Sequence, residues 1–152
     1  MKLRINYSQK APEAIKGILE METYVKTELE ESLIELVKLR ASQINGCAFC
    51  LDMHTKDARA AGETEQRLYT LSAWRETPFF SERERAALEW TEKLTLISEN
   101  EVSDSLFETV SAQFNEKELI ALTICINAIN SWNRLAISFR TLVGSYKVPS
   151  KK

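Results

Sequence analysis

Apolar side chains recur at three- and four-residue intervals along almost the whole chain, and no stretch alternates apolar and polar residues for long enough to build a sheet. That periodicity confines the fold to packed helices. With three prolines and four glycines among 152 residues, there is little material for long loops, and the breaks fall at identifiable points. A first helix is expected from about Pro12 to Val25, with Ile15, Ile18, Leu19 and Tyr24 on its apolar side and Pro12 suited to its first turn. A second runs from Ser32 to Ile44 on a stripe of Leu33, Leu36, Val37, Ala41 and Ile44, and stops at Asn45-Gly46, a pair that accepts positive φ. A third starts near Ala48 and ends at Ala61, before Gly62, and a fourth extends from Glu65 through Trp74 until Pro78 closes it. Ser81 with Glu84 and Asn115 with Glu118 both have capping-box spacing, the first ahead of a helix to about Leu96, the second ahead of the apolar run Leu119 to Ile129. A weaker helix spans Ser103 to Gln113 and a last one Trp132 to Val143, while Gly144, Pro149 and the terminal lysines read as a frayed end. The expected fold class is all-α, with about six to eight helices in a single domain over residues 1–152.

Charge narrows the partners. Twenty basic against twenty-two acidic side chains give a net charge of -2, without the basic excess that a nucleic-acid surface requires. The opening Met1-Lys2-Leu3-Arg4-Ile5-Asn6-Tyr7 lacks the apolar stretch of a signal peptide, and the run Leu119 to Ile129 is too short to cross a bilayer. The expectation is a cytoplasmic protein with no membrane partner, its three cysteines mostly reduced at rest.

Two of those cysteines and the only histidine fall in one segment, Asn45-Gly46-Cys47-Ala48-Phe49-Cys50-Leu51-Asp52-Met53-His54. A Cys-x-x-Cys pair lets one thiolate attack while the other waits within disulfide reach. Cys50 falls in the first turn of the third helix, where unpaired N–H groups and the positive end of the dipole favour thiolate over thiol. It is the candidate nucleophile. Cys47, at or just outside the helix start, is the candidate resolving thiol, able to condense with a sulfenic acid on Cys50. His54 follows Cys50 by four residues, which puts imidazole and thiol on one helix face, roughly 5–6 Å apart at Cβ. An unperturbed pKa of about 6.5 lets that imidazole take or deliver a proton near neutrality.

The same spacing admits two other readings. Cys47, Cys50 and His54 could hold zinc with Asp52 or Glu35 as the fourth ligand, although no second Cys/His pair exists in the chain. Alternatively the cysteines are small buried hydrophobes in a non-enzymatic helical binding or scaffold protein. Cys125, amid Leu122, Thr123, Ile124 and Ile126, reads as core.

Glu35 precedes Cys47 by twelve residues, and with Cys47, Cys50 and His54 it reproduces a spacing that resembles the alkylhydroperoxidase D-like members of the carboxymuconolactone decarboxylase superfamily. The run Lys38-Leu39-Arg40-Ala41-Ser42-Gln43-Ile44-Asn45-Gly46-Cys47 is similar to the same proteins, as is Leu71-Ser72-Ala73-Trp74-Arg75-Glu76-Thr77; the family core would extend over about 14–96. The resemblance implies an all-helical AhpD-like fold, assembly as a dimer, trimer or hexamer, and a thiol-dependent peroxidase that reduces hydrogen or alkyl hydroperoxides. It implies no bound cofactor; the reductant would be an external dithiol, with a lipoylated protein as the model. Members that decarboxylate a lactone lack the cysteine pair. One departure is Phe49, where the best-understood relative carries a second histidine before its second cysteine.

By composition alone Glu35 is a surface carboxylate paired with Lys38 at i+3. On a helical wheel it points away from the Leu33-Val37-Ile44 stripe toward Leu39 and Ser42, a second face that the third helix or another subunit would cover. There it could hold His54 or a bridging water and pass protons to the cysteine pair. Trp74, Phe79, Phe80, Trp90 and Trp132 are expected in the core or at a subunit interface, and Arg75 and Arg134 are left outside the site.

Overall fold

The computed structural model describes residues 2–149 and is helical throughout, with no strand among the described residues. In chain order the helices are α1 (Tyr7–Lys10), α2 (Lys16–Glu28), α3 (Glu31–Asn45), α4 (Ala48–Ala60), α5 (Glu65–Thr70), α6 (Glu82–Thr95), α7 (Asp104–Ser111) and α8 (Glu116–Phe139). Short 3-10 segments at Pro12–Ile15 and Leu71–Glu76 precede α2 and follow α5. None of these helices is long and apolar enough to cross a membrane.

Local signals explain most boundaries. Both capping boxes form: Ser81 and Glu84 exchange side-chain and backbone bonds at the start of α6, and Asn115 and Glu118 do so at the start of α8. Gly46 ends α3 at φ +68°, where a Cβ would meet no atom but the backbone would be strained. Its N–H reaches the Gln43 carbonyl at 3.3 Å, and the Cys47 N–H reaches that of Ser42 at 3.0 Å, so the last turn is closed before α4 begins.

Three expectations needed correction. The two helices expected over Leu119–Ile129 and Trp132–Val143 are one continuous α8, because the polar residues between them bond back onto the helix: Asn130 Nδ2 donates to the Ile126 carbonyl at 2.9 Å and Ser131 Oγ to that of Asn127 at 2.9 Å. That helix stops at Phe139, four residues before Val143, where Arg140 takes a left-handed φ of +54°. The expected frayed end is held to α4 at Gly144 and Tyr146; Lys151 and Lys152 lie outside the described residues. The short α1, capped by Asn6 Oδ1, was not foreseen.

The central element is α3, which packs against α4, α6 and α8, while α2 lies along α8. Leu33, Val37, Trp90, Leu122, Cys125 and Ile126 belong to the largest apolar cluster, and Leu36, Leu39, Leu71, Trp74 and Phe80 form a second beneath α4 and α5. Each buried Leu or Ile in these clusters stabilises the fold by roughly 1.5–3 kcal/mol. Trp74, Phe80 and Trp90 are core residues, as expected. A third, smaller cluster of Ala41, Cys47, Cys50, Ile129 and Ala136 lies where the α3–α4 turn meets the far half of α8.

Candidate active site

The turn at Gly46 delivers Cys47 as the N-cap of α4, where its sulfur accepts the Cys50 N–H at 3.4 Å. Cys50 therefore occupies the third helical position, among the unpaired N–H groups of the first turn. The two sulfurs are joined as a disulfide across a Cα–Cα distance of 5.4 Å. Both residues are almost completely buried, under Phe49, Trp132, Ile129 and Ala136, but they differ in outlook. Cys50 lines a cavity of about 800 Å³, whereas Cys47 lies behind it.

His54 shares that cavity wall and is 4% exposed. Its Nδ1 lies 2.8 Å from Oε2 of Glu35, which reaches over from α3, and its Nε2 is buried with no partner among the described residues. The ring is thus held at one nitrogen and open at the other. Glu35 bonds His54 and leaves Lys38 alone; Lys38, itself buried, pairs with Glu22 of α2, which also accepts the Trp132 indole N–H at 3.2 Å. The i+3 surface pair expected from composition does not form, because α2 supplies Lys38 with a closer carboxylate.

Asp57 and Tyr146 complete the wall, and neither was singled out in the sequence. Asp57 stands at i+3 from His54, a spacing that would have placed it on the same face. Its Oδ1 accepts the Tyr146 hydroxyl at 2.7 Å, a contact across 89 residues that no local pattern signals. Burial, and then Asp57, push the Tyr146 phenol up to about 12. Glu35, His54 and Asp57 offer ligand atoms within 4.8 Å of one another and are the described residues best placed to receive a cation. The zinc set of Cys47, Cys50, His54 and Asp52 or Glu35 is not assembled: the sulfurs are bonded to each other, and Asp52 turns outward to Lys56 at 2.8 Å and to the Gly144 N–H at 3.2 Å.

The third cysteine behaves as core. Burial pushes the Cys125 thiol up to about 12, leaving no appreciable thiolate near neutrality. Arg75 and Arg134 stay outside the cavity, Arg75 against Trp74 and Glu92 and Arg134 on the Asn130 carbonyl.

The model of the carboxymuconolactone decarboxylase family matches residues 9–93, which include Glu35, Cys47, Cys50 and His54. The chain belongs to this family. An uncharacterized Bacillus subtilis protein, YdfG, is 48% identical over 139 residues, covering 91% of this chain and 95% of its own length. The uncharacterized YnjA of Escherichia coli is 30% identical over 105 residues, 69% of this chain and 57% of that protein. Among solved structures, an Agrobacterium tumefaciens protein of unknown function, named as a candidate antioxidant defence protein AhpD, superposes with a TM-score of 0.89 at 46% identity over 95% of this chain and all of its own. The Ralstonia eutropha peroxidase-related protein described as an alkylhydroperoxidase AhpD core has a TM-score of 0.78 at 16% identity, covering 91% of this chain and 74% of that one, a likeness of fold. The chain is an AhpD-like member of the carboxymuconolactone decarboxylase superfamily, with the all-helical fold of that group.

Proposed function

We propose that this carboxymuconolactone decarboxylase family protein is a thiol-dependent peroxidase that reduces hydrogen or alkyl hydroperoxides through Cys50 and Cys47. One observation carries the reading: Cys50 shares a cavity wall with a histidine fixed at Nδ1 by Glu35 and unpartnered at Nε2, with Cys47 already within bonding distance behind it. The Cys50 thiolate attacks the terminal peroxide oxygen and the O–O bond breaks. Cys50 becomes a sulfenic acid, and the departing alkoxide or hydroxide takes a proton, which His54 delivers in this scheme. The Cys47 thiol then gives its proton to the leaving oxygen as its sulfur attacks Cys50, so water leaves and the disulfide forms. An external dithiol, a lipoylated protein among the donors to try, returns both cysteines to thiols and is itself oxidised to a disulfide. Phe49 carries no proton in this scheme and packs over the pair. A cytoplasmic setting and a homo-oligomeric state are part of the same reading, the latter supported by the exposed Leu19, Met21 and Tyr24 along α2.

Steady-state peroxide consumption with a panel of dithiol donors, dihydrolipoyl protein included, tests it. Turnover that disappears in Cys50→Ser is expected. Folded protein that turns over with no donor would move the assignment to a non-enzymatic helical protein.

A further inference from the structure

The turn that carries Cys47 is tied to α8 by side-chain amides. Asn45, the last residue of α3, points both Nδ2 hydrogens at α8, donating to Asn130 Oδ1 at 2.9 Å and to Asn133 Oδ1 at 2.8 Å. Asn133 Nδ2 donates in turn to Ser42 Oγ at 3.0 Å, and Asn130 Nδ2 reaches Thr95 Oγ1, at the end of α6, at 3.3 Å. Asn130 and Asn133 stand three residues apart and share a face of α8, beside the Ile129 and Ala136 that bury the cysteine pair.

These groups lie deep. Ser42 is 0%, Asn133 1% and Asn130 7% exposed, and none of their buried polar atoms lacks a partner among the described residues. Apolar side chains would fill the same space with no demand on geometry. A bonded, buried amide holds one arrangement, because any shift leaves a desolvated donor or acceptor unpaired.

What is held is the backbone around Cys47. Its N–H donates to the Ser42 carbonyl at 3.0 Å, so its amide side is fixed by the residue whose hydroxyl Asn133 grips. Its carbonyl accepts the Leu51 N–H at 2.9 Å, which fixes the other side to α4. Cys50 needs no such help, being inside the first turn of α4. The direction of the Cys47 side chain therefore depends on the turn staying where α8 holds it.

We infer that Asn45 is a positioning residue for the cysteine pair: it clamps the α3–α4 turn to α8, keeps the Cys47 sulfur directed at Cys50, and so favours the disulfide over the dithiol. This rests on the reading above in which the pair cycles between those two states. A sulfur held in place acts at a high effective concentration, whereas one on a loosened turn faces Cys50 for a smaller fraction of the time. Exchange with glutathione reads that concentration: the protein dithiol and one glutathione disulfide become the protein disulfide and two glutathione thiols.

Full-length protein is equilibrated in glutathione buffers of stepped ratio, quenched in acid, alkylated in denaturant and read by mass spectrometry at the Cys47–Cys50 peptide. Asn45→Ala removes both bonds to α8, and Asn45→Asp sets a carboxylate that cannot donate against two carbonyl oxygens. Asn45 is only partly buried, so both substitutions leave the core intact. Each should lower the equilibrium constant about tenfold, the scale of one hydrogen bond, which is about 30 mV for a two-electron couple. Thr95→Ala cuts the same network on its α6 side, away from the turn; it should lower the unfolding midpoint and leave the constant within about twofold. Folded Asn45 variants with the wild-type constant overturn the inference, as does an equal shift in Thr95→Ala, which would make the effect one of general stability; both outcomes leave the cycling of the pair intact. A wild-type pair that does not exchange with glutathione overturns the redox reading itself and takes this inference with it.

Discussion

Glu35 and Glu92 are both carboxylates with side chains almost equally withdrawn from solvent, 13% and 17% exposed, yet they are bonded in opposite ways. Glu92 on α6 is tied down by three bonds. Its Oε1 accepts Arg40 Nε at 2.8 Å and the Trp74 indole N–H at 2.8 Å, and its Oε2 accepts Arg75 at 2.5 Å. Burial alone would raise its pKa, but the bonds from Arg75, Trp74 and Arg40 outweigh burial and hold the carboxyl below the ordinary value of 4.5. Glu35 on α3 has a single side-chain partner among the described residues, and that partner is a histidine whose other nitrogen is free. A buried carboxylate tied by three bonds to two arginines and an indole fixes geometry; one bonded only to a ring on a cavity wall keeps capacity for a further partner.

If that contrast is real, the two ends of it break in different assays. His54→Gln should slow the peroxidase step by roughly 10²–10⁴-fold, and Glu35→Gln by about tenfold, with unfolding midpoints close to wild type. Rates near wild type in both folded variants would remove the pair from the mechanism and leave the cysteines alone.

Glu92→Gln should do the reverse, costing about 1–3 kcal/mol of stability by leaving Arg40, itself largely buried, without its charge partner, while turnover changes less than twofold. The pH dependence carries the same sign. With its folded-state pKa depressed, Glu92 contributes stability that is complete above 4.5 and lost as pH falls through the folded value, so acid unfolding of Glu92→Gln should be less steep than that of wild type. Chemical denaturation at neutral pH and below pH 4 reads both effects.

The smallest effect lies at the turn between α3 and α4. Gly46→Ala adds a methyl group that meets no atom within 4 Å, so only the left-handed backbone opposes it, at about 1–2 kcal/mol. A loss much above that would mean that the turn also tightens the cysteine pair.

Much of this was legible before any coordinates. The period of three to four residues, the two capping boxes and Asn45-Gly46 located most helices, and they put Cys50 in a first turn because a glycine break followed by an N-cap leaves few other choices. Glu35 beside His54 was readable only through the family spacing, since nothing local to α3 distinguishes a carboxylate facing Lys38 from one facing α4. Asn130-Ser131 misled because polar residues inside a helix resemble a break when their side chains can equally bond to the turn behind them. The segment after α8 was read as frayed for a different reason: its attachments to α4 span about 90 residues, and such pairings leave no periodic trace.

The length and lateness of α8 have a consequence for how each copy is made. Cys47 and Cys50 leave the ribosome early, but Ile129 and Ala136, which bury them, are added about 80 residues afterwards. At roughly 5–20 residues per second that interval lasts about 4–16 s. Throughout it the cysteine pair travels uncovered, open to any oxidant, metal ion or stray thiol in its surroundings, and only the arrival of the final helix encloses it. The position of a helix near the end of the chain thus sets how long every new molecule carries this cysteine pair outside the fold that later buries it.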